Sequence, residues 1–384
     1  EAADRLGVKP ETLYAYVSRG VIERRRGPDG STFAAADVER LARAGRRGRS
    51  LPALVFPSGL TRIEGGRVAY RGLDAIELAA ERGFEEVAEW LWLGAWPEAT
   101  VWPLDRVVFD VVREAQALIP DHCLPIDRLR VTTATAAAID ERRHDTSADL
   151  AVATARRLLA LLVHALPAVG RRSDRPGARL AAALWPRLSP LPPTDGRVGV
   201  LDAALVLLAD HELASSTLAA RLAAMVRADP YEIVGAGLNV LGGSRHGGAT
   251  LTLEPLLRDA EVVGVGRAMS ERIGPGERLV GFGHALYRDG DPRAAALLAR
   301  LDDVEPAPTR RTTVDRFLAA AAERDVGPAN IDAALAAMAH VAEMRPGAAE
   351  AIFAIARTAG WIAHALEQYD QPTFMRARVD YVGA

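Results

Sequence analysis

Lysine is almost absent from this 384-residue chain: Lys9 is the only one among 47 basic residues. So one-sided a choice of arginine reads as coding bias, not as a functional device. Cysteine is equally scarce. Cys123 stands alone, which excludes an intramolecular disulfide framework and a cysteine metal cluster and favours a reducing, cytoplasmic setting. Long apolar runs are also lacking. The most apolar stretch, LLALLVHALPAVG from Leu158 to Gly170, is broken by His164 and Pro167 and is too short for the roughly 20 residues that a bilayer helix needs. No secretory leader is visible, so a soluble protein is expected.

Several signatures are present only as near misses. GAGLNV (Gly235 to Val240) begins like a dinucleotide fingerprint, but Val240 replaces the third glycine and a helical run precedes it. HELAS at His211 puts Ser215 where a zinc protease needs its second histidine. GGSRH has a serine at the nucleophile-elbow position but His246 in place of the last glycine. A GxxxxGK[ST] phosphate loop is missing altogether. Nucleotide hydrolysis, zinc proteolysis and serine hydrolysis are set aside.

What is there divides unevenly. Residues 1–50 hold 11 Lys/Arg against 7 Asp/Glu, a net +4, which leaves −7 for the remainder. The head predicts a short helix over Ala2 to Leu6 and a second opened by Pro10 with Leu13 and Val17 facing inward. A Pro/Gly-punctuated turn follows at RRRGPDGSTF, then a third helix from Ala34 to Ala44 carrying Val38 and Leu41. This order resembles the winged helix-turn-helix of the MerR and excisionase type. Arg19, Arg24, Arg25 and Arg26 are candidate phosphate contacts, although a charge run is commonly a solvated face. RAGRRGRS, Arg43 to Ser50, reads as a linker.

From Leu51 onward helical periodicity dominates. Val198, Leu201, Leu205 and Leu208 fall on one face of a buried helix, and Ala351 to Gln368 is apolar nearly all round. Strand-like alternation is confined to a short hairpin near GLTRIEGGRVAYRG. The expected fold class is mainly α, in a large helical body.

Five stretches carry residues that packing alone does not select: ADHELASST (Ala209 to Thr217), GGSRHGGA (Gly242 to Ala249), GFGHALYRDGDPRA (Gly281 to Ala294), PANID (Pro328 to Asp332) and FAIARTAGWIAHALEQ (Phe353 to Gln368). RARVDYVGA, Arg376 to Ala384, closes the chain. In this order they resemble the citrate synthase family, and GGRVAYRGLDAIELAAERGFEEVAEWLWLGAWP resembles that family's N-terminal pattern. The likeness runs from about Leu51 to the C-terminus.

The resemblance implies a two-domain helical fold, with a large domain over about 51–250 plus 351–384 and a small domain over about 251–350. It implies an acyltransferase that condenses acetyl-CoA with oxaloacetate and hydrolyses citryl-CoA. The catalytic residues would be His246, donating to the thioester oxygen, His284, polarising the ketone, and Asp332, removing the methyl proton. One preorganised donor at a forming enolate is worth about 10²–10³ in rate. His211, Arg293, Arg357 and Arg376 would bind oxaloacetate. Arg288, Gly281 and Gly283 would meet CoA, the glycines letting backbone approach the ligand. No cofactor or metal is implied, acetyl-CoA being substrate. The implied partner is a second copy of the chain, with Arg376 completing its partner's site; DNA is a further candidate through residues 1–50, and a membrane is not expected.

Two alternatives stay open. One is a 2-methylcitrate synthase using propionyl-CoA, since one methylene is discriminated by only about 1–3 kcal/mol. The other is a regulator in which the body senses an acyl-CoA or oxo-acid and the head binds DNA. His122, His144, His164, His340, His364 and Trp361 take structural readings. The chain departs from the family pattern at Ser244, Arg245, Ala214, Ala333, Ala334 and Ala377, and Arg245 is expected to disfavour protonation of His246.

Overall fold

The computed structural model describes residues 2–6, 13, 17, 22, 24–27, 30–35, 37–38, 55–97, 101–171, 179–273, 279–324 and 326–371. The chain divides into two compact units, Glu1–Pro57 and Ser58–Ala384.

In the first unit, α1 (Ala2–Leu6) is followed by an antiparallel hairpin of β1 (Arg24–Gly27) and β2 (Gly30–Phe33), with Arg24 opposite Phe33 and Gly27 opposite Gly30. This is the Pro/Gly-punctuated turn of the sequence. Leu13, Ile22 and Val38 form a small apolar core, with Ala2, Ala3, Val17 and Phe33 packed on it. Most of the second and third expected helices, including Leu41, lies outside the described residues, as does Arg19.

The second unit opens with a three-stranded antiparallel sheet in the order β3 (Thr61–Glu64), β4 (Arg67–Tyr70) and β5 (Leu73–Asp74). Gly65 and Gly66 turn β3 into β4 with φ of 58° and 76°, the left-handed pair that a two-residue hairpin requires. Helices follow in the order α2 (Ala75–Glu81), α3 (Phe84–Leu93), α4 (Arg106–Ala117), α5 (Pro125–Ile139), α6 (Ala148–His164), α7 (Leu180–Leu188) and α8 (Asp195–Leu208). The second half adds α9 (Ser215–Met225), α10 (Pro230–Leu241), α11 (Thr250–Val263), α12 (Val265–Arg272), α13 (Pro292–Leu298), α14 (Pro308–Glu323), α15 (Ile331–Val341) and α16 (Ala348–Tyr369).

α16 runs through the interior, its residues buried almost without exception. Its alanines and Gly360 leave room for α3, α6, α8, α9 and α10 to pack around it. At Gly360 the approach is backbone to backbone: its N–H donates to the Ala209 carbonyl at 2.9 Å. A side chain there would collide with that carbonyl and with Asp210. The bare position therefore lets the end of α8 lie against α16, which brings His211 to the flank of Arg357. Gly237 on α10 does the same for Trp361, whose indole fills the space a methyl would take. A second group, α11, α12, α14 and α15, packs together, and α13 lies on α15.

Candidate active site

Three loops and two helix starts converge. After α8 the chain turns through Asp210 and His211 into Glu212, which adopts a left-handed φ of 50°. Strand β3 clamps this turn on both sides. Thr61 Oγ1 donates to Asp210 Oδ2 at 2.5 Å, and the Ile63 N–H donates to Glu212 Oε1 at 3.1 Å. The turn presents His211, whose Nε2 lies 2.8 Å from the Tyr287 hydroxyl. His211 and Tyr287 are both buried, and the His284 ring sits edge-on to His211 with centroids 5.5 Å apart.

The loop carrying His284 is tied to the loop before α15. Gly283 N–H donates to the Pro328 carbonyl (2.7 Å), Asn330 N–H to the Gly281 carbonyl (2.9 Å), and the Asn330 amide to the Gly283 carbonyl (3.0 Å). Asn330 also caps α15, its Oδ1 accepting from the Asp332 N–H at 3.0 Å. One side chain thus fixes the candidate acid and the candidate base together. Asp332 lies in that helix's first turn, half-buried.

Gly281 and Gly283 have φ of 86° and 70°, the region glycine enters at no steric cost. Gly247 and Gly248 serve differently. A side chain on Gly247 would strike Leu241 at 2.5 Å, and one on Gly248 would strike the Gly242 carbonyl at 2.7 Å. These two glycines are needed so that the loop can fold against its own preceding helix, rather than for a left-handed backbone.

Hydrogen bonding assigns the protons. The Leu286 N–H donates to His284 Nδ1 at 3.1 Å, so the proton of the neutral ring sits on Nε2. Trp361 Nε1–H donates to Ser216 Oγ (3.3 Å), and Ser216 Oγ lies 2.8 Å from His246 Nε2. The indole only donates, so among the described residues His246 Nε2 is the acceptor left for the buried serine hydroxyl, which places the His246 proton on Nδ1. Burial depresses the His246 pKa to about 4, aided by the Arg357 cation. Arg245, exposed along with Ser244, is not the charge responsible; Arg357 is, because it is buried and unscreened. Burial and then Arg293 lower His284, partly offset by Asp291, and burial with Arg293 and Arg357 takes His211 well below its ordinary value. All three rings are uncharged donors at neutral pH.

Desolvation raises Asp332 to about 6, the nearby Asp291 adding to it and Arg293 and Arg357 opposing. A carboxylate so poised is a far better base than an ordinary aspartate. The two arginines differ in how they are held. Arg293, 2% exposed, forms a bidentate pair with Asp291 (Nε to Oδ1 3.0 Å, Nη2 to Oδ2 2.8 Å). Asp291 also accepts from the Ile331 N–H at 3.1 Å and so joins α13 to α15. Arg357, 1% exposed, spends only Nε, on the Leu208 carbonyl at 2.8 Å; Nη1 and Nη2 are buried without a partner. Burial lowers its pKa to about 10, against the pull of Asp210.

Arg288 is exposed, where a flexible phosphate could reach it. Arg376 and Ala377 lie outside the described residues. The geometry thus brings His211, His246, His284, Arg293, Arg357 and Asp332 into one electrostatically coupled cluster. It adds Ser216, Tyr287, Asp291 and Asn330, which no motif singled out. Trp361 is core, but also the start of the relay to His246. His364 donates from Nε2 to Asp210 Oδ2 at 3.3 Å, with Arg221 Nη1 3.2 Å from its Nδ1. Among the described residues no three His, Cys, Asp or Glu side chains are grouped to hold a metal, and no helix is long and apolar enough to cross a membrane.

The profile described as "Citrate synthase, C-terminal domain" matches residues 52–378. A citrate synthase of Haloferax volcanii is 31% identical over 361 residues, covering 86% of this chain and 94% of that protein. A 2-methylcitrate synthase of Shewanella oneidensis is 28% identical, covering 91% and 96%. In fold, the chain resembles the Thermoplasma acidophilum citrate synthase solved as a ternary complex with carboxymethyl coenzyme A and oxaloacetate, with a TM-score of 0.70, 23% identity, and coverage of 87% of this chain and 95% of that one. The profile spans most of the chain and the Haloferax relative aligns over nearly its whole length, so the chain belongs to the citrate synthase family.

Proposed function

We propose that the protein condenses acetyl-CoA with oxaloacetate and hydrolyses the citryl-CoA formed, as an acyltransferase that converts an acyl into an alkyl group on transfer. The observation that carries this reading is the buried Arg357 guanidinium, with two nitrogens left for an anion. A buried cation whose nitrogens no carboxylate engages is costly, and a dicarboxylate bound beside it lowers that cost. Arg293 supplies a second fixed cation and His211 a neutral donor.

Asp332 takes a proton from the thioester methyl while the Nδ1–H of His246 stabilises the enolate oxygen. The carbanion attacks the ketone of oxaloacetate, which the Nε2–H of His284 polarises and protonates. Water then cleaves the thioester. Arg288, Gly281 and Gly283 lie on the CoA side. No metal or prosthetic group enters this sequence.

The small domain, about 251–350, would close on the large domain, about 51–250 plus 351–384, and exclude water before proton abstraction. The working form would be a homodimer in the cytoplasm, Arg376 reaching the partner's site. The Shewanella relative's name supports a second reading, 2-methylcitrate synthesis from propionyl-CoA. The hairpin and small core of residues 1–57 support a winged helix-turn-helix head able to contact DNA phosphates.

A thiol-release assay with oxaloacetate tests the reading. Release from acetyl-CoA in preference to propionyl-CoA is expected; the reverse preference selects the second reading, and release from neither rejects both.

A further inference from the structure

His211 and Tyr287 share one hydrogen bond, 2.8 Å from Nε2 to the phenol oxygen, in which either partner could be the donor. Their surroundings decide the direction. Burial and two neighbouring arginines keep the His211 ring neutral, so it carries a single N–H. If that N–H were on Nε2, the phenolic O–H would need a separate acceptor. Tyr287 has none among the described residues: it lies against the His284 ring, with centroids 4.8 Å apart, and under the Arg293 guanidinium at 5.5 Å. The His284 nitrogen able to accept is already occupied by the Leu286 N–H. Tyr287 is 1% exposed, and a buried O–H without an acceptor bears its full desolvation cost. The phenol therefore donates to Nε2, and the histidine proton resides on Nδ1, which has no hydrogen-bond partner among the described residues.

We infer that Tyr287 is a positioning residue. Its hydroxyl locks His211 in the Nδ1–H tautomer, so that this N–H, flanked by Arg293 and Arg357, is presented to a carboxylate or ketone oxygen of the 2-oxo dicarboxylate. The identity of the ligand rests on the condensation reading; the tautomer does not. Without the lock, a neutral imidazole divides its proton between two nitrogens, and part of the population offers a lone pair to an anion.

The test uses full-length protein labelled with 15N-histidine and long-range 1H–15N spectra, the His211 signal being assigned by its loss in His211→Asn. In substrate-free wild type, Nε2 is expected to be pyridine-like and Nδ1 pyrrole-like. Tyr287→Phe keeps the ring and removes only the hydroxyl. It is expected to mix or reverse the tautomers and to raise the KM for oxaloacetate about tenfold, the size of one neutral hydrogen bond, with kcat within about twofold. A wild-type proton on Nε2 overturns the inference, and so does a KM change without a tautomer change or the converse. Failure of thiol release would reject the condensation reading and leave the tautomer result standing.

Discussion

α16 carries one buried arginine near its middle and meets another near its C-terminal end, and the two are treated in opposite ways. Near the C-terminal end, Arg221 is saturated: its nitrogens reach Gln368 (2.9 Å), His364 (3.2 Å), Glu367 (3.1 Å) and Gln371 (3.1 Å). Nearer the middle, Arg357 satisfies one nitrogen and leaves two buried and unpartnered. Burial is nearly identical, the two being 0% and 1% exposed. What separates them is whether the protein itself completes the charge. Arg221 is part of the folded state's own polar network, whereas Arg357 keeps two nitrogens that the fold does not pair. Buried guanidinium nitrogens that the fold leaves unpaired mark a candidate ligand site more sharply than an arginine count can.

The largest expected break in this contrast comes from the base. Asp332→Ala should lower condensation about 10²–10⁴-fold while oxaloacetate still binds, because the cations proposed to hold it remain; steady-state thiol release beside a binding titration separates the two. Next in size is a change in stability that only one arginine shows. Arg221→Met strips partners from buried polar groups and should cost about 3–5 kcal/mol, read as a lower melting temperature. Arg357→Met removes a buried cation with two unpaired nitrogens, and the unliganded protein should melt at or above the wild-type temperature.

Acidity sharpens the picture further. Asp332 must be ionised to act, and desolvation, with Asp291 adding to it, lifts its pKa to about 6. Activity should therefore be flat above that value and fall about tenfold per pH unit below it. His246, held near 4, should add no second limb until more acid conditions; a pH–rate profile of kcat/KM checks both. The smallest effect concerns Ala214, which stands at the N-cap of α9 with no side chain to accept from the helix's first N–H groups. Ala214→Asn should stabilise the protein by about 0.5–2 kcal/mol, measured by denaturant unfolding, with little change in turnover.

Much of the candidate site was legible in the sequence because the residues proposed to react sit in motifs that packing does not explain. His246, His284, Asp332, Arg293 and Arg357 all stand in such stretches, and the 3.6-residue repeat marked α8 and α16. What was not legible is what holds those groups. Ser216 lies in an ordinary-looking SST, and its role depends on Trp361 and His246 arriving from other helices. Asn330 caps α15 in the structure, and it also fastens the His284 loop across 47 residues of sequence. The charge acting on His246 was expected from its neighbour Arg245 but comes from Arg357, since proximity in sequence says nothing about solvent screening. Arg376 lies outside the described residues.

The most direct test is calorimetric titration of oxaloacetate into wild type, Arg357→Met and Arg221→Met, each confirmed as folded at the temperature used. The account predicts that Arg357→Met loses about 10²–10³-fold in affinity, the cost of removing a buried cation from an anion, while Arg221→Met binds within a few-fold of wild type. Equal affinity in wild type and Arg357→Met would contradict it.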